Sequence, residues 1–324
     1  MSGADDLGRT PPSRALPGPE TPPPFMARLW ELSTRDGVDW VALTRNLLGS
    51  AIDDTVPHPP RLWNHWCGGK DAFAIDKEFC AYAEHWYPHI TAVAAARRTF
   101  RARAVQVMLN DLEVDQLLVA GTDLPLFPEV RDEVHQVVED HAPWARIVYA
   151  DADPHVMQLA RVRLPGDLDE GEAGGHIDAG LEDPGAVLRG AAQALDFTQP
   201  VGVLLSTSLD LLDDVQAVHA LRALREALAP GSPLAISHLA ALTDQGFGAL
   251  CHSPPGDPAH AERMSGLPRP RTHEGVRALC AGLDLLQPGI VPANRWRPTQ
   301  RDLAQEPIDL WCAIGQIPTP TATA

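Results

Sequence analysis

The stretch 116–153 limits what this chain can fold into more than any other. It opens with the apolar run Leu117-Leu118-Val119-Ala120 and turns at Gly121-Thr122-Asp123-Leu124-Pro125. After a helical-looking segment it reaches a second apolar run, Ile147-Val148-Tyr149-Ala150, which stops at Asp151-Ala152-Asp153-Pro154. Strand, glycine turn, helix, strand, acid is the order of a nucleotide-binding βαβ unit. A glycine after the first strand lets backbone come close to a ligand, and the helix start presents free N–H groups. An acid at the end of the second strand, here Asp151, can accept hydrogen bonds from both ribose hydroxyls. Such loops usually carry two or three glycines, and this one has only Gly121. A βαβ unit that binds no nucleotide therefore stays open as an alternative.

The alternation continues downstream. Residues 154–164 read as a helix with Pro154 in its first turn, and His176-Ile177-Asp178 as a short third strand. Residues 183–195 read as a helix opened by Asp183-Pro184, and Val201–Ser206 as an apolar run fit for a fully buried parallel strand. An amphipathic helix over 213–228, a fifth strand over 233–237 ending at His238, a helix over 272–283 and a last strand over 308–315 complete the pattern. Strands alternating with helices predict an α/β fold with a doubly wound, mainly parallel sheet over 113–316. Residues 165–175 read as a glycine-rich acidic loop and 246–270 as an insertion.

Upstream, residues 1–24 are polar and rich in proline, as expected of a disordered or extended tail. Residues 25–112 form an N-terminal helical region. Helical patterns run over 25–33 and 38–49, a linker with three prolines over 53–60, and helices over 61–67, 72–87 and 90–109. Gly68-Gly69 should stop the first of these last three, with Asp71 capping the next. The third carries Arg97, Arg98, Arg101 and Arg103, read either as a solvated face pairing with nearby acids or as an anion site. His85 and His89 read as helix-end residues and 317–324 as a loose tail.

The formal net charge is −17, from 26 basic and 43 acidic side chains. Such a surface repels phosphate backbones, so nucleic acid is not an expected partner. No apolar run approaches a membrane span and no signal-peptide core opens the chain, so no membrane partner is expected. Five scattered cysteines without a CxxC pair fit reduced thiols, a cytoplasmic location and the absence of a zinc site.

Several motifs together carry a likeness. They are Asp54-Thr55-Val56-Pro57-His58, the run Arg61-Leu62-Trp63-Asn64-His65-Trp66-Cys67-Gly68-Gly69-Lys70-Asp71-Ala72-Phe73, Arg98-Thr99-Phe100, Arg103-Ala104-Val105, Gly121-Thr122, Leu124-Pro125, Val148-Tyr149-Ala150-Asp151-Ala152-Asp153-Pro154, Pro288-Gly289-Ile290-Val291-Pro292 and Arg295-Trp296-Arg297-Pro298. Across about 53–315 the chain resembles the S-adenosylmethionine-dependent methyltransferases marked by a Gly-Gly-Lys-Asp motif before the nucleotide-binding sheet. The resemblance implies a seven-stranded class I methyltransferase fold with strand order 3-2-1-4-5-7-6, preceded by a helical extension. It implies S-adenosylmethionine at the switch point, with Gly68, Gly69, Gly121, Thr122, Asp123, Asp151, Ala152, Asp178 and Ser206 as the expected binding residues. The segment 64–71 is expected to fold over the pocket as a lid, or else to form a tight turn between two packing helices.

The chain departs from the family pattern on the cofactor loop. Val119 stands where an aspartate ends the first strand, and Asp123 stands in place of the second loop glycine. Leu126-Phe127-Pro128 replaces polar residues, and the acid near the adenine aligns with Gly180, two residues from Asp178. Asp210 replaces a common family histidine. The expectation is a methyltransferase for a small molecule, with secondary metabolism as its setting and weakened cofactor binding. The alternatives are a non-catalytic binding or regulatory module on the same fold, and an enzyme using the pocket for other chemistry. His238 and Asp210 are candidates for acting on the acceptor, with a structural role as the other reading of each. The sequence indicates neither an acceptor nor an oligomeric state.

Overall fold

The computed structural model describes residue 54 and residues 57–126, 133–164, 175–240 and 268–319, all within the compact unit Ile52–Ala324. The tail 1–24, the helical patterns 25–33 and 38–49, most of the loop 165–175, the insertion up to residue 267 and the end of the C-terminal tail lie outside the described residues.

Among the described residues, eight strands form one sheet. They are β1 (Gln116–Ala120), β2 (Arg146–Asp151), β3 (His176–Asp178), β4 (Gly202–Leu205), β5 (Pro233–Leu239), β6 (Asp284–Leu285), β7 (Val291–Pro292) and β8 (Leu310–Gln316). Their order is β3-β2-β1-β4-β5-β8-β6, with the two-residue β7 pairing β8 off this path. The first five strands are parallel, in register at Leu118↔Val148, Leu118↔Val203 and Leu204↔Ala235, and β8 runs antiparallel, with Ile236 opposite Ala313. This is the expected doubly wound sheet with its penultimate position filled by the last strand. The strand count rises from seven to eight because Val291-Pro292 adds a short pair.

Each central strand is buried on both faces, so alternate side chains serve two cores. Leu117 and Val119 face one core with Ile147, Tyr149 and Leu204, whereas Leu118 and Ala120 face the other with Val148, Val203 and Leu205. The first core is closed by α1 (Pro59–Trp66), α2 (Ala74–Trp86), α3 (Ile90–Asn110), α4 (Val134–His141) and α5 (Pro154–Arg163). The second is closed chiefly by α6 (Pro184–Ala191), α7 (Ser208–Leu211), α8 (Asp214–Ala227) and α9 (His273–Leu279). A last short helix, α10 (Gln300–Leu303), precedes β8. Aspartates cap three of these helix starts, and Asp183 is the one the sequence marks. Asp153 accepts from the amides of His155 and Val156, Asp183 from Ala186 and Asp213 from Gln216.

Several expectations are corrected. Helix α9 ends at Leu279 rather than 283, because Cys280 caps it and Gly282 turns the chain at φ 82°. Ile317 is not loose, since its amide donates to Ser232 and its carbonyl accepts from Gly231. Asp71 does not cap α2. Its carboxylate takes both guanidinium nitrogens of Arg163 at 2.8 Å and the Asn64 amide nitrogen at 3.0 Å. Arg163 also donates to the Pro125 carbonyl at 3.0 Å, so the segment after α1 is tied to α5 and to the loop after β1. The α2 start is satisfied instead by Asp76, which accepts from the Phe73 amide at 2.8 Å. The arginine face of α3 pairs with acids as expected, but it is covered rather than solvated. Arg97 is buried and pairs with Asp210, Arg101 reaches Asp123 at 3.2 Å, and Arg103 reaches Asp302 at 2.9 Å. Helix α1 and the segment around α10 cover that face, which a helical pattern alone does not reveal.

Asp76 is fully buried and holds the α1–α2 corner, accepting from the His58 amide at 3.0 Å and from Arg61 Nε at 2.6 Å. Removing a buried partner leaves the other charge uncompensated. We expect Asp76→Ala to cost about 3–5 kcal/mol, read from the denaturation midpoint, whereas a loss within about 1 kcal/mol would contradict this role.

Candidate functional site

The sheet reverses its winding direction between β1 and β4, and at such a switch point the strand ends diverge into a crevice. A cavity of about 340 Å³ lies there. Its floor is Gly121 and Asp123 after β1, Asp151, Ala152, Asp153 and Pro154 after β2, and Thr207 and Ser208 after β4. One wall comes from His58, Pro59, Pro60 and Trp63 at the start of α1, and another from Gly180, Leu181 and Glu182 after β3. Leu211, Leu212 and Pro268 complete it. This volume suits a small organic ligand, and an apolar lining with a few convergent polar groups is the usual form of such sites.

Gly121 has φ 88°, and a Cβ there would lie 3.0 Å from both the Ser208 amide nitrogen and Thr207 Oγ1. Glycine is thus required both by conformation and by the close approach of the loops after β1 and β4. Thr122 sits behind the floor, its hydroxyl donating to the Ala150 carbonyl at 3.3 Å. Its amide donates to Asp151 Oδ2 at 2.9 Å, and the Asp153 amide donates to Asp151 Oδ1 at 2.9 Å. Two amides therefore aim the Asp151 carboxylate, while its remaining lone pairs can serve a ligand. Burial pushes the Asp151 carboxyl up to about 7, against the pull of those amides and with help from the neighbouring Asp123 charge.

Asp123 adopts φ 61°, the left-handed region that glycine takes at least cost. Its carboxylate meets Arg101 at 3.2 Å. Burial raises its pKa, against the charges of Arg101 and Arg97 and a hydrogen bond from Thr207. Asp123 is therefore a carboxylate of the cavity floor whose charge is balanced from behind.

Of the nine expected binding residues, Gly121, Asp123, Asp151 and Ala152 line the cavity, and Thr122 supports it. Gly68, Gly69, Asp178 and Ser206 are not among its lining residues. Gly68 ends α1 at φ 83°, and a Cβ on Gly69 would collide with the Asn64 side chain at 2.2 Å. Gly68 thus supplies the left-handed turn, and Gly69 leaves room for the Asn64 side chain. Asp178 pairs with Arg161 at 2.6 Å on the exposed surface, because its side chain leaves β3 on the α5 side. Glu182 stands nearer the place expected of an acid there, since a Cβ on Gly180 would lie 2.4 Å from its carboxylate. Ser206 is buried, with its carbonyl accepting from the Ser237 hydroxyl at 3.0 Å.

His238 and Asp210 are fully buried and do not line the cavity. Arg271 donates to His238 Nε2, so Nδ1 carries the proton and faces Asp210 Oδ1 at 3.0 Å and the Leu239 carbonyl at 2.9 Å. Burial lowers the His238 pKa against the Asp210 charge, which leaves a neutral ring with both nitrogens engaged. Asp210 also accepts from Arg97 and from the Leu239 amide at 3.1 Å. The guanidinium of Arg97 stacks on Trp63, 4.2 Å from the ring centre, so this buried cluster backs a wall of the cavity. The wall residues His58 and Trp63 belong to motifs visible in the sequence, but nothing in those motifs aims them at the strand ends. Thr207 and Ser208 could have been found as the residues that follow a buried parallel strand.

No group of three or more metal-binding side chains occurs among the described residues, and no helix among them is long and apolar enough to cross a membrane. A family model described as S-adenosyl methyltransferase matches residues 46–318. Among solved structures, the chain is similar to a DUF574-family protein from Streptomyces avermitilis MA-4680, at 28% identity and TM-score 0.72, over 83% of this chain and 100% of that one. It is also similar to a candidate methyltransferase from Thermobifida fusca YX, at 26% identity and TM-score 0.67, over 82% and 96% of the two chains. No curated protein matches it.

We expect Asp210→Ala to destabilise the fold by about 3–5 kcal/mol, because it strands Arg97 in the interior. Equilibrium unfolding tests this, and an unchanged midpoint would show that Arg97 finds another partner.

Proposed function

Because the chain belongs to the S-adenosyl methyltransferase family, we propose that it binds S-adenosylmethionine in the cavity at the ends of β1, β2 and β4 and methylates a small molecule. The observation that carries this reading is the Asp151 carboxylate, held by two amides on the cavity floor beside the close-packed Gly121 turn. When bound, the cofactor supplies an electrophilic methyl group on a sulfonium. The protein must then chiefly align an acceptor with it and exclude water. Asp151 would hold the ribose hydroxyls, Gly121 would let the cofactor approach the backbone, and Trp63 and Leu211 would shield the pocket. The neutral, enclosed His238 is assigned no proton-transfer role.

Asp151→Ala should lower affinity for S-adenosylhomocysteine by roughly 1–3 kcal/mol, the scale of charge-assisted hydrogen bonds. Calorimetric titration checks this, and equal binding by the variant would remove the assignment. The ionised carboxylate is the stronger acceptor, and its pKa near 7 is raised in the folded protein. Affinity should therefore rise as pH increases from about 6 to about 8, and Asp151→Asn should flatten that rise. A rise of the same size in the Asn variant would assign it to another group.

Asp123 narrows the cavity where loops of this kind receive the methionine end of the cofactor. Arg101 offsets its charge, but its bulk and left-handed backbone remain. We propose that it weakens cofactor binding, so Asp123→Gly should bind S-adenosylhomocysteine roughly tenfold more tightly. Weaker binding by the Gly variant would make Asp123 a direct ligand of the cofactor's ammonium instead.

A further inference from the structure

Resting on that reading, we infer that the cavity prefers the sulfonium cofactor over its spent form, S-adenosylhomocysteine, because its lining carries more carboxylates than counter-ions. The cavity itself is placed by the switch point and the close-packed Gly121 turn, and its charge is a separate observation. Four acids line it, Asp123, Asp151, Asp153 and Glu182, while its lining contains neither lysine nor arginine. Two of the four have a basic partner. Asp153 meets His58 Nε2 at 2.5 Å and accepts from the first amides of α5. Asp123 meets Arg101, behind the floor, at 3.2 Å. The other two have no cationic side chain in an ion pair with them among the described residues. Asp151 is held by the Thr122 and Asp153 amides, and Glu182 is exposed at the cavity wall. Amides supply only partial charge, so the Asp151 carboxylate remains largely unopposed. Burial, and then the neighbouring Asp123 and Asp153 charges, push its pKa up to about 7, which is the same imbalance felt by a proton.

The chemistry of the two ligands turns this imbalance into a preference. S-adenosylmethionine carries a sulfonium, an ammonium and a carboxylate. S-adenosylhomocysteine keeps the last two, and its sulfur is a neutral thioether. The pair differ by one methyl group and one positive charge, beside the ribose whose hydroxyls Asp151 would hold. At an effective dielectric of about 20, a unit charge several ångströms from a carboxylate changes a binding constant about tenfold or more. A metal ion is not the cation the acids await, since no group of three or more metal-binding side chains occurs among the described residues. When the methyl group is transferred, the bonding electron pair stays on sulfur, so the spent cofactor loses its attraction to the lining. Exchange for fresh cofactor is then favoured by the charge of the cavity.

Full-length protein is titrated calorimetrically with both compounds in parallel at pH 8, where Asp151 is ionised, and the ratio of the two Kd values is the readout. Wild type should bind S-adenosylmethionine roughly tenfold more tightly than S-adenosylhomocysteine. Asp151→Asn keeps the shape of the side chain and removes its charge. Any lost ribose contact weakens both ligands alike and cancels, so the ratio should fall by about threefold or more. Asp123→Asn leaves the Arg101 charge unopposed and should lower the ratio too, which decides the matter if Asp151→Asn binds too weakly to measure. Thermal unfolding checks that both variants are folded. A wild-type ratio of one or less overturns the inference, and so does an unchanged ratio in a folded variant whose binding is measurable. Equal binding of the two compounds removes this inference and leaves the cofactor site standing. Binding of neither compound by folded wild type removes the cofactor reading, and this inference with it.

Discussion

The Asp210 carboxylate, shut away from solvent between Arg97 and His238, is the interaction on which the cavity's architecture depends. It joins three parts of the chain that are distant in sequence. Arg97 comes from the long helix α3, His238 from the end of β5, and Arg271 from the segment before α9. A buried carboxylate is tolerated only when donors surround it, and here two side chains and the Leu239 amide do so. Arg97 passes the constraint outward by stacking on Trp63. The position of the α1 wall is therefore fixed from inside the protein rather than by a ligand.

A second set of contacts fixes the same wall from the other end. Asp71 takes Arg163 in a two-pronged pair that also reaches the loop after β1, and Arg163 draws the Asp71 pKa below the ordinary carboxylate value. Asp153 holds His58 while capping α5. In both cases one acid ties the segment around α1 to the sheet's carboxyl edge. The segment around α1 is thus anchored at both ends of α5, through His58 at its start and Asp71 at its end, and the cavity's polar groups collect along one edge around Asp151.

The doubly wound sheet was legible because buried parallel strands are short apolar runs and their connections carry aspartate and proline starts. Asp151 could be placed from the sequence because it closes an apolar run that follows a strand, a glycine turn and a helix. Local pattern was a poorer guide where side-chain direction decided the outcome. Asp178 sits on a correctly read strand, yet it turns to Arg161. Asp71 resembled a helix cap, but a cap is a local bond and an arginine far along the chain competes for the same carboxylate. The arginines of α3 read as a surface face because periodicity shows which residues share a side and not what covers it. His58 and Trp63 stand in motifs that give them no place in the site. Their approach to the strand ends depends on tertiary bonds that no spacing encodes.

The family match and the cavity at the switch point converge on one claim, that this edge of the sheet holds an S-adenosyl nucleoside. The most direct measurement is a calorimetric titration of the wild-type protein with S-adenosylhomocysteine near pH 8. The account predicts saturable binding at one site, at micromolar to sub-millimolar concentrations, roughly −5 to −8 kcal/mol. No binding at about millimolar ligand, by a protein shown to be folded, would contradict it.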